Sequence, residues 1–190
     1  CDIIGNVNSA QANAELCNLV VSTLIECGLK KDQFVINISN RKILQGIIND
    51  LKISEQKQAK VMRSIDKLNK PGFGLKGVED LLKKERKDKS GAITKGAELN
   101  NDQSSQIINF LKIKDLKDLK KNFKNPITQE GIKEMEEVFE ILNYGDFADQ
   151  VKANFTVVRG LDYYDGFCLE TNLNFKATNN KGKEVDIGSI

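Results

Sequence analysis

Hydrophobic residues recur every three or four positions in the first part of the chain, which is typical of a helix that buries one face. Asn8 or Ser9 can cap this helix, and Gly28 can end it. Its predicted buried face consists of Ala12, Leu16, Leu19, Val20, Leu24 and Cys27. Residues 2–5 before it have the character of a strand end. The chain is therefore predicted to open with the end of a strand followed by an amphipathic helix.

The pattern then changes to strand-forming residues. Residues 34–38 are mostly β-branched or aromatic, and Asn40 can cap a short helix after them. That helix presents Leu44, Ile47 and Ile48 to one side. Strand followed by helix is thus the predicted order up to residue 53.

From residue 54 to about residue 125 the pattern is helical. Ser54 can cap an amphipathic helix, and a proline and glycines at residues 71–74 break it. Apolar residues at helical spacing follow, namely Val78, Leu81, Leu82, Ile107, Ile108, Leu111, Leu116, Leu119 and Phe123. The glycines at 72, 74 and 77 lack the preceding strand and the Gly-Lys-Ser/Thr ending of a phosphate loop. We interpret them as turn residues.

A mixed-charge run at residues 83–89 is predicted to end one of these helices at Ser90 and Gly91. Because both signs are interspersed within the run, a solvated surface is favoured over a contact with RNA phosphates.

After residue 126 the pattern predicts one more helix and then strands. Thr128 can cap the helix, whose apolar residues are Ile132, Met135, Val138, Phe139 and Leu142, and Gly145 can end it. Residues 155–158 and 163–170 are predicted strands, and residues 179–182 a hairpin turn before a strand at 185–187. Because these strands follow one another with short links, antiparallel pairing is expected.

This order of elements predicts an α+β fold in which a partial antiparallel sheet is interrupted by a helical insertion. The expected division assigns strands and helices to residues 1–53 and the helical insertion to residues 54–125. Residues 126–190 supply the last helix and the remaining strands.

The composition limits which kinds of catalytic and binding site the chain can contain. The 190 residues include 29 Lys and Arg and 27 Asp and Glu, so the net charge of +2 gives no single-sign field, although local patches remain possible. No apolar run approaches the ~20 residues that span a bilayer, and no membrane partner is expected. The absence of histidine excludes Ser-His-Asp triads, histidine bases and histidine-containing zinc sites. No metal site is predicted, and any chemistry must come from Arg, Lys, carboxylates, Tyr or Cys.

The cysteines are Cys1, Cys17, Cys27 and Cys168. They form no CxxC pair and no secretory hydrophobic region accompanies them, which predicts reduced thiols and a cytoplasmic location. Cys17, Cys27 and Cys168 are predicted to be small core residues.

The string VVRGLDYY at residues 157–164 carries the strongest chemical signal. Arg159 followed by Gly160 can project a guanidinium from a place where the backbone approaches a ligand. Tyr163 and Tyr164 are adjacent, so on a strand they place one hydroxyl on each face. The residues alone fit an ordinary turn above a packed aromatic pair equally well.

Together with Gly166 and Glu170, this string closely resembles the histidine-specific signature of the histidyl-tRNA synthetases, a family of class II aminoacyl-tRNA synthetases. Residues 1–6 and 13–16 resemble the strand and helix after motif 2 of that family. Residues 35–46 resemble its next strand and helix, and residues 65–70 the start of its insertion. The resemblance therefore implies an internal fragment of a class II catalytic domain that is inactive alone, because it places the motif 2 arginine, motif 3, the second histidine signature and the anticodon-binding domain outside these residues.

The resemblance implies a histidine–tRNA ligase, which activates L-histidine with ATP to histidyl-adenylate and transfers the histidyl group to tRNA(His). In that family Arg159 would contact the ATP α-phosphate and the histidine carboxylate. Tyr164 would lie at the substrate imidazole, with Tyr163 on the pocket wall or packed beside it. Asp2 would hold the imidazole from the other side. Mg²⁺ is expected to accompany ATP, with no ligands identified in this chain, and a homodimer is expected.

Two other hypotheses stay open. The first is a synthetase-like regulatory subunit of ATP phosphoribosyltransferase, which is non-catalytic and senses histidine. The second is a lysine-rich helical RNA-binding module, for which residues 54–125 alone would bind RNA in a salt-sensitive way. The complete string at residues 159–164 and the long insertion favour the ligase.

Overall fold

The computed structural model describes residues 3–70, 72–87, 93–158, 165–180 and 182–185. Within these ranges the α-helices are α1 (Ser9–Glu26), α2 (Arg41–Asp50), α3 (Glu55–Ile65), α4 (Gly74–Lys83), α5 (Asn101–Lys112), α6 (Leu116–Asn122) and α7 (Pro126–Leu142). The strands are β1 (Phe34–Asn40), β2 (Arg86–Lys87), β3 (Ile93–Thr94), β4 (Val151–Ala153), β5 (Phe167–Leu173), β6 (Ala177–Thr178) and β7 (Glu184–Val185). The molecule has the expected α+β fold.

Helix α1 begins and ends where the sequence predicts but buries a different face. The side chain of Asn8 accepts hydrogen bonds from the backbone N–H groups of Ala10 and Gln11, at 2.8 and 3.1 Å. The buried residues are Ala10, Ala14, Cys17 and Val21. These small side chains let α1 lie close to α7, whereas Leu19 from the predicted face is 43% exposed. The prediction of a strand end before α1 is wrong for residues 3–5, which lie outside any strand.

The two cysteines of this region lie in opposite environments. Cys17 is buried as predicted, and burial raises the pKa of its thiol to about 12. The prediction for Cys27 is wrong, because this residue caps the C-terminus of α1 and is exposed.

Strand β1 is the centre of a three-stranded sheet in the order β4-β1-β5. It pairs parallel with β4, where Ile36 lies opposite Val151, and antiparallel with β5, where Ile36 lies opposite Thr171. The expectation that the late strands pair with each other in series is therefore wrong for β4 and β5. Strand β1 has more strand-forming residues than either and takes the buried position between them.

The strand predicted at residues 155–158 lies earlier, at β4. The side chain of Asn154 accepts from the backbone N–H of Thr156 at 3.2 Å and forms a turn that ends the strand. Phe155, Val157 and Val158 are buried after that turn, so their hydrophobicity reflects core packing and not strand pairing.

Helices α2 and α7 pack together on the core face of β1. Helix α7 is capped by Asn125, not by Thr128 as predicted. The hydroxyl of Thr128 instead donates to the carbonyl of Ile43 on α2 at 3.0 Å. Phe34, Ile36 and Ile38 alternate along β1 and are buried in the same hydrophobic core as residues of α2 and α7.

The segment at residues 54–125 contains α3 to α6 and the short antiparallel pair β2–β3. Helix α4 ends at Lys83, before the predicted stop, because Arg86 and Lys87 pair with β3. Arg86 also lies over the ring of Phe73, 4.3 Å from its centroid, and its Nη2 donates to the carbonyl of Gly72 at 2.7 Å. Gly72 and Gly74 have positive φ, as expected of turn residues. The same interpretation is wrong for Gly77, which is buried inside α4.

The predicted hairpin near the end of the chain is present as β6 and β7. Gly182 has a φ of 72° and its N–H donates to the carbonyl of Asn179 at 2.9 Å. In the part of the chain that the structure describes, no helix is long and apolar enough to cross a membrane.

Candidate functional site

The residues predicted to bind substrate, Asp2, Arg159, Tyr163 and Tyr164, lie outside the described residues. The chain on both sides of residues 159–164 is described, and it enters and leaves that segment close to the C-terminal end of β1.

The entry to the segment is fixed by Val157 and Val158. Both are nearly buried, at 5% and 3% exposure. The thiol of Cys168 on β5 donates to the carbonyl of Val157 at 3.3 Å. Cys168 lies opposite Ser39, the penultimate residue of β1, so this contact ties the entry to the end of the central strand. Cys168 is 3% exposed, as predicted for a core residue.

The exit from the segment is fixed by Gly166. Its carbonyl accepts a hydrogen bond from the backbone N–H of Arg41 at 2.9 Å. Arg41 is the first residue of α2 and follows β1 directly. Asp165, which precedes Gly166, is exposed and lies before the start of β5. Both ends of the segment are thus held at the junction between β1 and α2.

The sheet face opposite the core is polar. Asn37 in the middle of β1 lies opposite Glu170 on β5 and Lys152 on β4. Residues directly opposite each other share a face, so an amide stands between a carboxylate and an ammonium on three neighbouring strands. Asn37 is 8% exposed and Ser39 on the same face is 3% exposed.

Three asparagines connect the strands on this polar face. The amide of Asn37 donates to the side-chain oxygen of Asn172 at 2.5 Å, and the amide of Asn154 donates to the side-chain oxygen of Asn37 at 3.3 Å. The hydroxyl of Thr156 in turn donates to the side chain of Asn154 at 2.7 Å. The network runs from β5 across β1 to the turn that leads into residues 159–164.

This arrangement provides a polar surface of hydrogen-bonded amides and a carboxylate. It does not supply a nucleophile. Amide groups donate and accept at fixed positions, and a carboxylate such as Glu170 accepts from cations or N–H groups. Such a surface is suited to orienting a polar ligand.

The sequence analysis assigned no site role to Asn37, Asn154 or Asn172. The signal was present, because Phe34, Ile36 and Ile38 alternate with Val35, Asn37 and Ser39 along one strand. A polar residue in the middle of a buried strand requires partners, and those partners were the unpredicted residues.

No group of three or more Asp, Glu or Cys side chains in the described ranges is arranged to hold a metal ion.

A cavity of about 590 Å³ lies at the C-terminal end of β5. Its lining includes Asn174, Lys176 and Glu184. It is separate from the polar face at the β1–α2 junction.

Comparisons of sequence agree with the signature. A family model described as histidyl-tRNA synthetase matches residues 1–173. A histidine–tRNA ligase of Pelagibacter ubique is 76% identical over 189 residues, which is 100% of this chain and 41% of that protein. A histidine–tRNA ligase of Bartonella bacilliformis is 36% identical over 200 residues, again 100% of this chain and 40% of that protein. The chain thus spans about two-fifths of the length of these relatives.

Comparisons of structure agree with the fold. The crystal structure of histidyl-tRNA synthetase from Nostoc sp. PCC 7120 superposes with a TM-score of 0.69 at 28% identity, covering 88% of this chain and 37% of that one. A Bacillus halodurans structure described as an ATP phosphoribosyltransferase regulatory subunit/histidyl-tRNA synthetase gives a TM-score of 0.67 at 18% identity, covering 88% of this chain and 40% of that one. The second likeness shows the fold alone.

Proposed function

Because the chain belongs to the histidyl-tRNA synthetase family, we propose that it forms part of the catalytic domain of a histidine–tRNA ligase. The observation that carries this proposal is the 76% identity with the Pelagibacter ligase over the whole chain. The proposed reaction joins L-histidine and ATP to give histidyl-adenylate and pyrophosphate. The histidyl group then passes to tRNA(His).

In this proposal Arg159 acts on the phosphate. When the histidine carboxylate attacks the α-phosphorus, negative charge builds on the non-bridging oxygens. A guanidinium presents a fixed fork of donors and stabilises that charge without reorganising. The two ends of the segment support this role, because the carbonyl of Val157 accepts from Cys168 on β5 and the carbonyl of Gly166 accepts from the first residue of α2.

The proposed histidine pocket uses complementary partners for the two ring nitrogens. A carboxylate, assigned to Asp2, accepts from one N–H, and the hydroxyl of Tyr164 meets the second nitrogen. Tyr163 belongs to the pocket wall or packs beside it. Such a site rejects analogues that lack either nitrogen, because its own polar groups would be left unpaired.

The remaining partners follow from the same reaction. ATP is a substrate, and Mg²⁺ would enter with it. Among the described residues no group of three or more acidic or cysteine side chains is placed to hold the ion. We further propose a homodimer that works in the cytoplasm. Within each subunit residues 1–53 and 126–190 would build the catalytic sheet, and residues 54–125 the insertion.

The regulatory-subunit hypothesis has less support. The Bacillus halodurans structure is only 18% identical to this chain, so its likeness shows the fold alone. The relatives that are 76% and 36% identical are both histidine–tRNA ligases. A regulatory subunit would bind histidine without activating it, and this difference decides between the two.

The test is histidine-dependent ATP–pyrophosphate exchange by the full-length protein. We expect exchange with L-histidine and charging of tRNA(His). Tyr164→Phe should raise the KM for histidine roughly tenfold, because a hydrogen bond to the substrate is worth about 1 kcal/mol or slightly more.

The matched control is Tyr144→Phe, which removes the same hydroxyl from a side chain that is 88% exposed on the surface. It should leave the KM for histidine unchanged. Histidine binding without any exchange by the native protein would refute the ligase and support the regulatory subunit.

A further inference from the structure

Asn37 lies in the middle of the central strand, where asparagine is an unusual residue. Strands favour β-branched and aromatic side chains and are depleted in asparagine. Its neighbours on β1, Ile36 and Ile38, follow that preference and are fully buried. Asn37 is itself only 8% exposed, and a buried amide costs free energy unless it is hydrogen-bonded. Its presence is therefore explained by its hydrogen bonds and not by strand formation.

Both ends of the Asn37 amide are engaged, and by different elements. Its nitrogen donates to the side-chain oxygen of Asn172 on β5, and its oxygen accepts from the side-chain nitrogen of Asn154 after β4. Asn37 thus serves as a donor on one side and as an acceptor on the other. An amide can do both, whereas an ionised carboxylate only accepts and an aliphatic side chain does neither.

The contact with Asn37 determines which way the Asn154 amide faces. Because its nitrogen is directed to Asn37, its oxygen is directed to Thr156. There it accepts from the backbone N–H at 3.2 Å and from the hydroxyl at 2.7 Å, which closes the turn. The backbone N–H of Asn154 also donates to the carbonyl of Ile38 at 2.9 Å. Without the Asn37 contact, the Asn154 side chain is free to rotate and release Thr156.

This turn leads the chain toward Arg159, the residue that the proposed function places at the phosphate. Thr156 is followed by Val157 and Val158, both nearly buried, and Arg159 comes next in the sequence. The carbonyl of Val157 accepts from the thiol of Cys168. Since a thiol is a weak donor, the amide network is the stronger attachment of this part of the chain to the sheet.

We propose that Asn37 is a positioning residue for the activation of histidine. In this role it contacts no substrate and acts through Asn154 and Thr156 on the placement of Arg159. The inference rests on the proposed function of Arg159. A guanidinium stabilises the charge that develops at phosphorus only when its donors are aligned, and a displacement of about 1 Å costs roughly 10²-fold in rate. Histidine binding has other contacts and depends less on that alignment.

The test is histidine-dependent ATP–pyrophosphate exchange by full-length variants. Asn37→Leu should lower kcat about tenfold or more and change the KM for histidine less than about threefold, because it disturbs alignment and removes no substrate contact. Thr156→Val should lower kcat by a smaller factor, because only the hydroxyl is lost. Thr156→Ser keeps the hydroxyl and should retain the native kcat. A native kcat in Asn37→Leu would overturn the proposal.

A double variant tests whether Asn37 acts through Asn154. Once Asn154→Ala has removed the connecting amide, the addition of Asn37→Leu should slow exchange no further. Slowing by the product of the two single effects would show that Asn37 acts independently of the turn, and the proposed route to Arg159 would be wrong.

The matched control is Thr171→Val, which removes a hydroxyl from the opposite face of the sheet. Thr171 is 2% exposed and lies opposite Ile36. This variant should retain the native kcat. Urea unfolding of every variant identifies a temperature at which all of them are folded, and exchange is compared there. An equal loss of kcat in Thr171→Val and Asn37→Leu would show a general effect of strand packing and refute the specific role of Asn37.

The native protein in the same assay reports the proposed function separately. Native exchange together with an unchanged kcat in Asn37→Leu refutes only the positioning role. Absent exchange in the native protein refutes the ligase, and the role of Asn37 falls with it.

Discussion

Arginine and lysine carry the same charge with different geometry, and this difference bears on the role proposed for Arg159. A guanidinium offers two parallel N–H donors to a phosphate or carboxylate. The ammonium of lysine is a compact charge on a flexible stem and cannot reproduce that fork. Ground-state binding of histidine has other contacts, while the developing charge at phosphorus depends on the fork.

We therefore expect Arg159→Lys to slow adenylate formation about 10²-fold, the effect of removing one well-placed donor, and to weaken histidine binding much less. Single-turnover kinetics of the full-length protein separate the two quantities. A parallel loss of rate and affinity would contradict a role confined to the transition state.

The roles of some single residues could be predicted from the sequence, and those of others could not. The caps at Asn8 and Asn40 were predicted, because a cap acts on the backbone two or three residues away. The predictions for Thr128 and Cys27 were wrong. The hydroxyl of Thr128 donates to a carbonyl far away in sequence, and Cys27 is exposed at the end of α1. The roles of Asp2, Arg159, Tyr163 and Tyr164 remain predictions.

At the scale of elements, α2 and α7 approach closely along a seam that contains two glycines. A Cβ added at Gly46 would collide with the hydroxyl of Thr128 and lie 2.6 Å from its backbone nitrogen. A Cβ at Gly131 would lie 3.1 Å from the backbone nitrogen of Ile43.

Ion pairs also join α2 to α7 beside this seam. The Nζ of Lys42 lies 2.8 Å from Glu130 and 2.5 Å from Glu134. These two hydrogen-bonded carboxylates raise the pKa of Lys42.

Gly46→Ala should destabilise the protein by about 2 kcal/mol, because backbone on the facing helix cannot move aside as a side chain could. The midpoint of urea unfolding of the full-length protein should fall accordingly. Gly145→Ala is the control, since its Cβ would meet only the carbonyl of Leu142 at 3.5 Å. Equal midpoints for Gly46→Ala and the native protein would show that the helices can separate at no cost.

Helices were predicted more successfully than strand pairing. The period of apolar residues within α2, α5 and α7 is a local property that the sequence displays directly. The position of β4 depends on where Asn154 turns the chain and on a partner far away in sequence, and neither is a periodic signal. The parallel pairing of β4 with β1 was missed for the same reason.

At the scale of the whole molecule, the chain spans about two-fifths of its ligase relatives. We expect the 190-residue chain alone to support no histidine-dependent ATP–pyrophosphate exchange, because it corresponds to only two-fifths of ligases that carry out the proposed reaction. The full-length protein assayed beside it is the control. Exchange at comparable rates by both would show that the site is complete within this chain.

The central position of β1 also determines the order in which the molecule can be assembled. Asn37 and its partner Asn154 are 117 residues apart, and Asn37 and Asn172 are 135 residues apart. At a synthesis rate of about 5–20 residues per second, these separations mean that β1 is synthesised roughly 6 to 27 seconds before its partners. Among the intervening helices, α3, α4, α5 and α6 contact mainly helices that are their neighbours along the chain, so we expect them to form during that interval and to shorten the loop between the strands. We therefore expect the helical segment to reduce the chain entropy that β1 and its late partners must lose when they pair.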